Sequence, residues 1–367
     1  MNDMSPRKTT AQLFGFGIYD CDIHPLMRSG ADILPYLPEK WRTYMQDYGH
    51  NVRKPYISTV PYPRIAPLIA RRDAWPPGGG PPGSDLAFMR EQHLDAHGIE
   101  FATLQTLFPD GYADRNLEFA AAVCRAVNQW QVDTWCGPEP RLEGSGVLPE
   151  GHAAPPAKEI EYWAGDPRFV QINIPPRCIE PLGRQRYWPI YEAAARAGLR
   201  VAAHISGYGG FPLSASGWPS YYAEEHQTNA HSMQNFLTSL ILEGVFETIP
   251  DMKLLVVEGG VGWIPSLMWR LDAQCKRFRD ELPHLRRLPS EYIRTNVWFT
   301  TQPIDEPSRP SDLRTAIEWL GWDKVLFSTD YPHWDSDDPR YVFKFPLSAD
   351  ERRMVFRDNA RSFYGLN

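Results

Sequence analysis

The chain alternates short apolar runs with amphipathic segments along most of its length. Eight runs have the length of a β-strand, and most are nearly continuous in apolar residues instead of alternating with polar ones. This pattern is typical of strands that are buried on both faces of a parallel sheet. The eight predicted strands cover residues 17–23, 101–108, 144–148, 169–174, 200–205, 253–257, 297–301 and 324–328.

Segments with helical periodicity follow or precede these runs, so strands and helices alternate. Such alternation predicts an α/β protein with a parallel sheet covered by helices. Eight repeats favour a closed (β/α)8 TIM barrel over an open doubly wound sheet, and no GxGxxG motif follows the first strand. We therefore predict one barrel domain over residues 1–367. Its helices are predicted at 85–98, 115–135, 191–198, 235–246, 312–320 and 349–364.

Two connections are longer than a barrel requires, residues 25–84 and residues 207–227. Both leave the carboxyl end of a predicted strand, which is the end where barrel active sites lie. We predict that they form lid and substrate walls. The alternative for the first loop is a role in oligomer contacts.

The composition argues against nucleic-acid and membrane partners and leaves a small-molecule substrate. The net charge is -7 and no basic patch stands out, which argues against nucleic acid. No apolar run approaches the length of a membrane span, and the amino terminus lacks the apolar run of a signal peptide. The five cysteines are scattered without a CxxC pair, as in reduced proteins. The predicted location is the cytoplasm.

Four predicted strands end in side chains that bind metals. Asp22 and His24 end the first strand, His204 the fifth, Glu258 the sixth and Asp330 the eighth. Singly, each has a structural alternative, such as a core histidine, a salt-bridge partner or a turn residue. Together they would bury several carboxylates, which is costly unless a cation neutralises them. The set therefore predicts a divalent metal, which would polarise a substrate oxygen or activate water.

Several further residues are candidates for roles around the metal. His333 is a candidate second-metal ligand or partner of a ligand, and His226 could reach the site from the fifth loop. Arg72 is a candidate clamp for a substrate carboxylate, although a solvated basic face also explains it. The loop aromatics Trp218 and Tyr222 suggest a hydrophobic or ring-bearing substrate. His93 is predicted to be a surface or capping residue.

Four motifs carry a family resemblance: DCDIHP at 20–25, AAHISG at 202–207, VVEGGVGWIPSLMWRLD at 256–272 and VLFSTDYPHWD at 325–335. With them the chain resembles the amidohydrolase superfamily, in particular its aminocarboxymuconate-semialdehyde decarboxylase-like group. The resemblance implies a (β/α)8 barrel, one or two divalent metals, and hydrolysis or non-oxidative decarboxylation. It places the first-strand His-x-His on Asp22 and His24, the strand-five ligand on His204 and the strand-eight ligand on Asp330. It also implies a homodimer or an oligomer with a related subunit.

The chain departs from that group at two positions. Asp22 replaces the first histidine, and Glu258 replaces a histidine that serves as acid or base in the decarboxylases. Glu258 could take that role or ligate metal. The oxygen-rich set suits zinc less specifically than manganese or iron, and it could hold two ions with a bridging carboxylate.

The main prediction is a metal-dependent hydrolase or non-oxidative decarboxylase of a small ring-bearing or carboxylated substrate. Metal-activated water or metal-bound substrate would react, with Glu258, His333 or His226 handling the proton. One alternative is a dinuclear non-haem iron or manganese oxygenase on the same fold. Another is a catalytically silent partner subunit.

Overall fold

The predicted barrel is confirmed. The computed structural model describes residues 8–49, 69–107, 116–149, 154–178, 180–205, 217 and 219–366. Eight parallel strands follow one another in sequence order around a single sheet. They are β1 Ile18–Ile23, β2 Ile99–Leu104, β3 Leu142–Val147, β4 Phe169–Ile174, β5 Arg200–His204, β6 Leu254–Val257, β7 Val297–Thr300 and β8 Val325–Leu326.

Backbone hydrogen bonds between β1 and the segment after β8 close the barrel. The amide of Cys21 donates to the carbonyl of Phe327 at 3.0 Å, and the amide of His24 donates to the carbonyl of Tyr331 at 2.8 Å. The amide of Asp330 donates to the carbonyl of Asp22 at 3.0 Å. The seam therefore brings the end of the first strand beside Asp330, far away in sequence.

Helices surround this sheet. They are α1 Thr10–Phe14, α2 Glu39–Tyr48, α3 Leu86–Met89, α4 Asp95–His97, α5 Leu117–Gln131, α6 Ala154–Trp163, α7 Trp188–Ala197, α8 Tyr222–Leu242, α9 Val245–Thr248, α10 Ile264–Arg277, α11 Pro289–Asn296, α12 Pro310–Leu320, α13 Ala349–Arg353 and α14 Asn359–Tyr364. π-Helical turns at Arg90–Leu94, Val132–Cys136 and Met354–Asp358 divide or extend helices that the sequence predicted as continuous. None of the described helices is long and apolar enough to cross a membrane.

The helix after the fifth strand begins well before its predicted start at residue 235. Its first turns carry Glu225, Thr228 and Asn229, which are buried although they are polar. These residues break the apolar periodicity on which a sequence prediction depends. The predicted fifth loop therefore ends at the start of α8, and residues 206–216 lie outside the described part of the chain.

The first long connection is partly helical and packs on the barrel. It contains a 3₁₀ turn at Gly30–Tyr36 and helix α2, in which Trp41 is buried with its ring 5.0 Å from that of Phe119 on α5. Residues 50–68 of this connection are not described. Beyond them the chain returns beside the strand-eight loop, where the amide of Trp334 donates to the carbonyl of Ile69 at 2.7 Å. This return places Ile69 at the mouth of the barrel.

Candidate active site

The structure brings the predicted metal-binding side chains together at the carboxyl end of the barrel. Potential ligand atoms of Asp22, His24, His204 and Glu258 all lie within 4.8 Å of one another. His24 forms a second such group with Asp330 and His333. All six predicted donors therefore belong to one of two groups that share His24.

Close contacts join the imidazoles to the carboxylates. His24 Nε2 lies 2.7 Å from Asp330 Oδ1 and 3.2 Å from Asp22 Oδ1. His204 Nε2 lies 3.2 Å from Glu258 Oε2 and 3.5 Å from Asp22 Oδ2. The Nε2 atoms of both histidines thus face the carboxylate of Asp22, His24 at Oδ1 and His204 at Oδ2.

Backbone carbonyls orient both histidines. His24 Nδ1 lies 2.9 Å from the carbonyl oxygen of Gln105, and His204 Nδ1 lies 2.9 Å from that of Ile205. Because a carbonyl only accepts, each Nδ1 carries the hydrogen and each Nε2 can present a lone pair to the group. Metal-binding histidines are usually held in this way through their second nitrogen.

The aspartate oxygens fit a cation. Both carboxylate oxygens of Asp22 and Oδ2 of Asp330 are buried, with no hydrogen-bond partner in the part of the chain that the structure describes. Burial raises the pKa of Asp22 and of Asp330, and burial lowers the pKa of His24 to about 3. A divalent cation would offset the cost of two buried carboxylates, and the neutral imidazole of His24 is the form that binds metal.

Neighbouring carboxylates raise the pKa of two other histidines, His204 and His333. Burial lowers the pKa of His204, but Asp22 and Glu258 outweigh burial and raise it well above its usual value. Burial also disfavours the charged form of His333, yet Asp330 raises its pKa to about 9, and His333 Nδ1 lies 2.6 Å from Asp330 Oδ1. His333 is therefore held as an ion-pair partner of Asp330.

Three of the six donors, Glu258, Asp330 and His333, line a cleft of about 440 Å³, a volume that includes its opening to solvent. Asp22, His24 and His204 are almost fully buried below it, whereas the side chain of Glu258 is 12% exposed. The cleft is lined by Ile69, Leu107, Arg177, Ile205, Tyr222, Glu225, His226, Asn229, Glu258, Asp330, His333 and Asp335.

Backbone strain concentrates at this cleft. Ile69, Glu258 and Asp330 are the non-glycine residues with positive φ in the described ranges, with φ of 57°, 58° and 62°. All three line the cleft. Left-handed backbone is uncommon for such residues and is concentrated at functional sites.

The remaining predicted contacts have mixed outcomes. Tyr222 and His226 do line the cleft, and His226 Nε2 lies 3.1 Å from Asp335 Oδ2, a contact that raises the pKa of His226. Arg72 does not line the cleft, contrary to prediction, because it begins a short 3₁₀ turn on the surface and is exposed. Trp218 lies outside the described residues.

A buried carboxylate behind the ligands was missed. Asp20 Oδ1 accepts from the amides of Asp22 at 3.2 Å and Thr329 at 2.9 Å. Its Oδ2 accepts from the Thr329 hydroxyl at 2.6 Å and lies 2.9 Å from His93 Nε2. The prediction of His93 as a surface residue is therefore wrong, since it is 2% exposed.

A register shift in β1 between Asp20 and Ile23 explains the separate roles of the two aspartates. Cys21 packs in the cluster of Leu255 and Val257, and the next side chain, Asp22, joins the donor group. Asp20 instead binds His93, from the turn before β2. A β-bulge breaks strict alternation in this way.

We expect Asp20→Asn to weaken metal binding about 10- to 100-fold, because an amide would direct N–H donors at groups that are themselves donors. Competition with a chelator would measure the affinity. Glu159→Gln is the matched control, since Glu159 is also buried and binds Arg125 and Trp163 away from the site. Equal metal affinity in both variants would show that Asp20 does not position the metal ligands.

A barrel that presents oriented imidazoles and buried carboxylates at its strand ends is typical of a class of metal-dependent enzymes. The amidohydrolase family model matches residues 19–366, and the chain belongs to this family.

Named relatives and solved structures agree with this assignment. The γ-resorcylate decarboxylase of Polaromonas sp. strain JS666 is 25% identical over 300 residues, which is 77% of this chain and 88% of the relative. The structure of 5-carboxyvanillate decarboxylase from Novosphingobium aromaticivorans has a TM-score of 0.72 at 19% identity and covers 99% of this chain and 100% of its own. A dihydroxybenzoic acid decarboxylase from Polaromonas sp. JS666 has a TM-score of 0.64 at 19% identity, with coverages of 96% and 97%.

These two structures confirm the fold, and both contain manganese. Manganese is one of the three metals that the sequence predicted, and the ligand groups of this chain agree with a divalent ion. The oligomeric state and the cytoplasmic location remain predictions.

Proposed function

We propose that this chain is a metal-dependent lyase that removes carbon dioxide from a small aromatic carboxylate without oxidation. The observation that carries the proposal is the buried donor set of Asp22, His24, His204 and Asp330 at the carboxyl end of the barrel, where Asp330 also lines the cleft. The named relatives support this reaction over hydrolysis, because they are decarboxylases of hydroxylated benzoates.

The four deep residues would hold the ion, and the rim residues would act on the substrate. A bound divalent ion would supply Lewis-acid polarisation of substrate oxygen. Glu258 is the most exposed member of its group and lines the cleft, so it faces the substrate. His226, oriented by Asp335, faces the same space from α8.

Decarboxylation requires a proton donor, and we assign this role to Glu258. When the bond between the ring carbon and the carboxylate carbon breaks, its electron pair stays on the ring carbon and carbon dioxide leaves. A proton must then bind the ring carbon in place of the lost carboxylate group. A carboxylic acid at Glu258 would donate this proton. The carboxylate that results then recovers a proton from solvent or from His226 before the next turnover.

One observation favours a second candidate function. Six donors in two groups that share His24 are more than one ion commonly takes from a protein. Such a set would suit the dinuclear oxygenase, although none of the relatives named above is an oxygenase. The presence of the complete donor set argues against a catalytically silent subunit.

Metal-loaded protein should release carbon dioxide from γ-resorcylate or 5-carboxyvanillate, with about one ion per chain and no oxygen uptake. Elemental analysis of anaerobically purified protein, trapped carbon dioxide and an oxygen electrode would measure the three quantities. Oxygen uptake in step with product would establish the oxygenase instead. Ester or amide cleavage without carbon dioxide would establish a hydrolase.

A further inference from the structure

One permanent cation lines the cleft among the residues that the structure describes there, and the metal-ligand set does not account for it. Arg177 follows the end of β4 and shares the cleft with Glu258, Asp330 and His333. It therefore lies at the same end of the barrel as the ligands. Its side chain is half-buried.

Three side chains on one helix hold the guanidinium. Arg177 Nη2 donates to Thr228 Oγ1 at 2.9 Å and to Asn229 Oδ1 at 2.7 Å, and Nε donates to Ser232 Oγ at 3.2 Å. All three acceptors lie on α8. A planar guanidinium fixed at three points loses little further freedom when it binds a ligand.

These hydrogen bonds orient Arg177 but do not neutralise it. Thr228, Asn229 and Ser232 accept through neutral oxygens, and Nη1 has no hydrogen-bond partner in the described ranges. A structural arginine in a partly buried setting is usually paired with a carboxylate. Here the charge and the free edge of the guanidinium remain available to an anion in the cleft.

We propose that Arg177 is an oxyanion subsite that binds a second acidic group of the substrate. The inference rests on the proposed function: the carboxylate to be lost faces the donor groups, and a separate carboxylate on the same ring faces Arg177. The substrate class is therefore a small aromatic acid with two carboxylates. Anchoring at Arg177 fixes which ring carbon faces Glu258.

A pair of ligand types tests this subsite on manganese-loaded protein. The first is 2-hydroxybenzoate, and the second is the same molecule with an additional carboxylate at ring position 3, 4 or 5. Calorimetry would give the dissociation constants for wild type, Arg177→Gln and Arg168→Gln. Arg168 is the matched control, because it precedes β4 at the opposite end of the barrel and pairs with Asp166.

In wild type and Arg168→Gln we expect at least one dicarboxylate to bind about tenfold more tightly than 2-hydroxybenzoate. Arg177→Gln should abolish this gain while its metal content and its affinity for 2-hydroxybenzoate stay within about twofold of wild type. Arg177→Lys should keep part of the gain, since it keeps the charge but loses the planar fork.

Two results would overturn the subsite. One is a gain that survives in Arg177→Gln, and the other is an equal weakening of both ligand types, which would mean that Arg177 only positions α8. Failure of the proposed function looks different, because wild-type protein would then retain no metal or release no carbon dioxide from any of these acids.

Discussion

Asp330→Ala is expected to leave the protein folded with less than about a tenth of its metal and to lower decarboxylation by about a thousandfold or more. Asp330 belongs to the second ligand group and contacts His24, the residue that the two groups share. Its Oδ1 lies 2.7 Å from His24 Nε2 and 2.6 Å from His333 Nδ1. Its Oδ2 is buried with no hydrogen-bond partner among the described residues. Removal of this side chain would take one candidate anionic ligand from the site and leave His333 without its carboxylate.

Elemental analysis after gel filtration would give metal per chain, and circular dichroism would show that the variant is folded. Asp338→Ala is the matched control, because Asp338 lies in the same loop and pairs with Arg340 at the surface. The control should keep its metal. Full metal retention in Asp330→Ala would contradict the assignment of the whole site.

The sequence predicts the strands well where their ends are set by local pattern. Strand β4 begins and ends at the predicted residues, since its apolar run is bounded by Pro167-Arg168 and by Pro175-Pro176. Strand β8 was predicted to run to residue 328 but ends at Leu326. Beyond Leu326 the backbone ladder to β7 gives way to side-chain hydrogen bonds, since the amide of Ser328 donates to Thr301 Oγ1 at 3.1 Å, and the chain then takes up left-handed backbone at Asp330. That exchange of partners is a long-range event with no local signal.

The convergence of the candidate ligands was predictable for a geometric reason. Parallel strands of a barrel end at one face, so metal-binding residues at four strand ends must converge. The spacing of Asp20 and Asp22 in the sequence did not indicate that their carboxylates have different partners. Only the bulge in β1 turns them to different partners. His93 comes from a π-helical turn and meets Asp20 only through tertiary packing.

Arg177 shows the limit of a search by residue type. It stands at the end of β4, where the convergence rule would place a functional side chain. A search confined to acids and histidines passes over it. Its three partners on α8 belong to a segment that the periodicity did not identify as helix. The position of Arg177 at a strand end could be predicted from the sequence, but its hydrogen-bond partners on α8 could not.

Glu258→Gln is expected to keep its metal and to lower kcat/KM about 100-fold or more, the usual contribution of a general acid or base. The four deep donors remain in this variant, and glutamine preserves the size of the side chain and its contact with His204, 3.2 Å from Glu258 Oε2 in the wild type. The amide cannot deliver a proton to a ring carbon. Turnover and metal content, measured on the same preparation, separate proton transfer from ligation.

Two further variants determine which residue carries the proton. Glu258→His introduces the residue type that the family resemblance implies for this position, and the left-handed backbone at φ 58° tolerates histidine better than a branched residue. We expect it to recover part of the activity that Glu258→Gln loses. His226→Asn should reduce turnover less than Glu258→Gln, because His226 is held by Asp335 at the rim and only returns the proton. If His226→Asn instead abolishes turnover while Glu258→Gln preserves both turnover and metal, the proton passes through the His226–Asp335 pair and Glu258 has no part in the reaction.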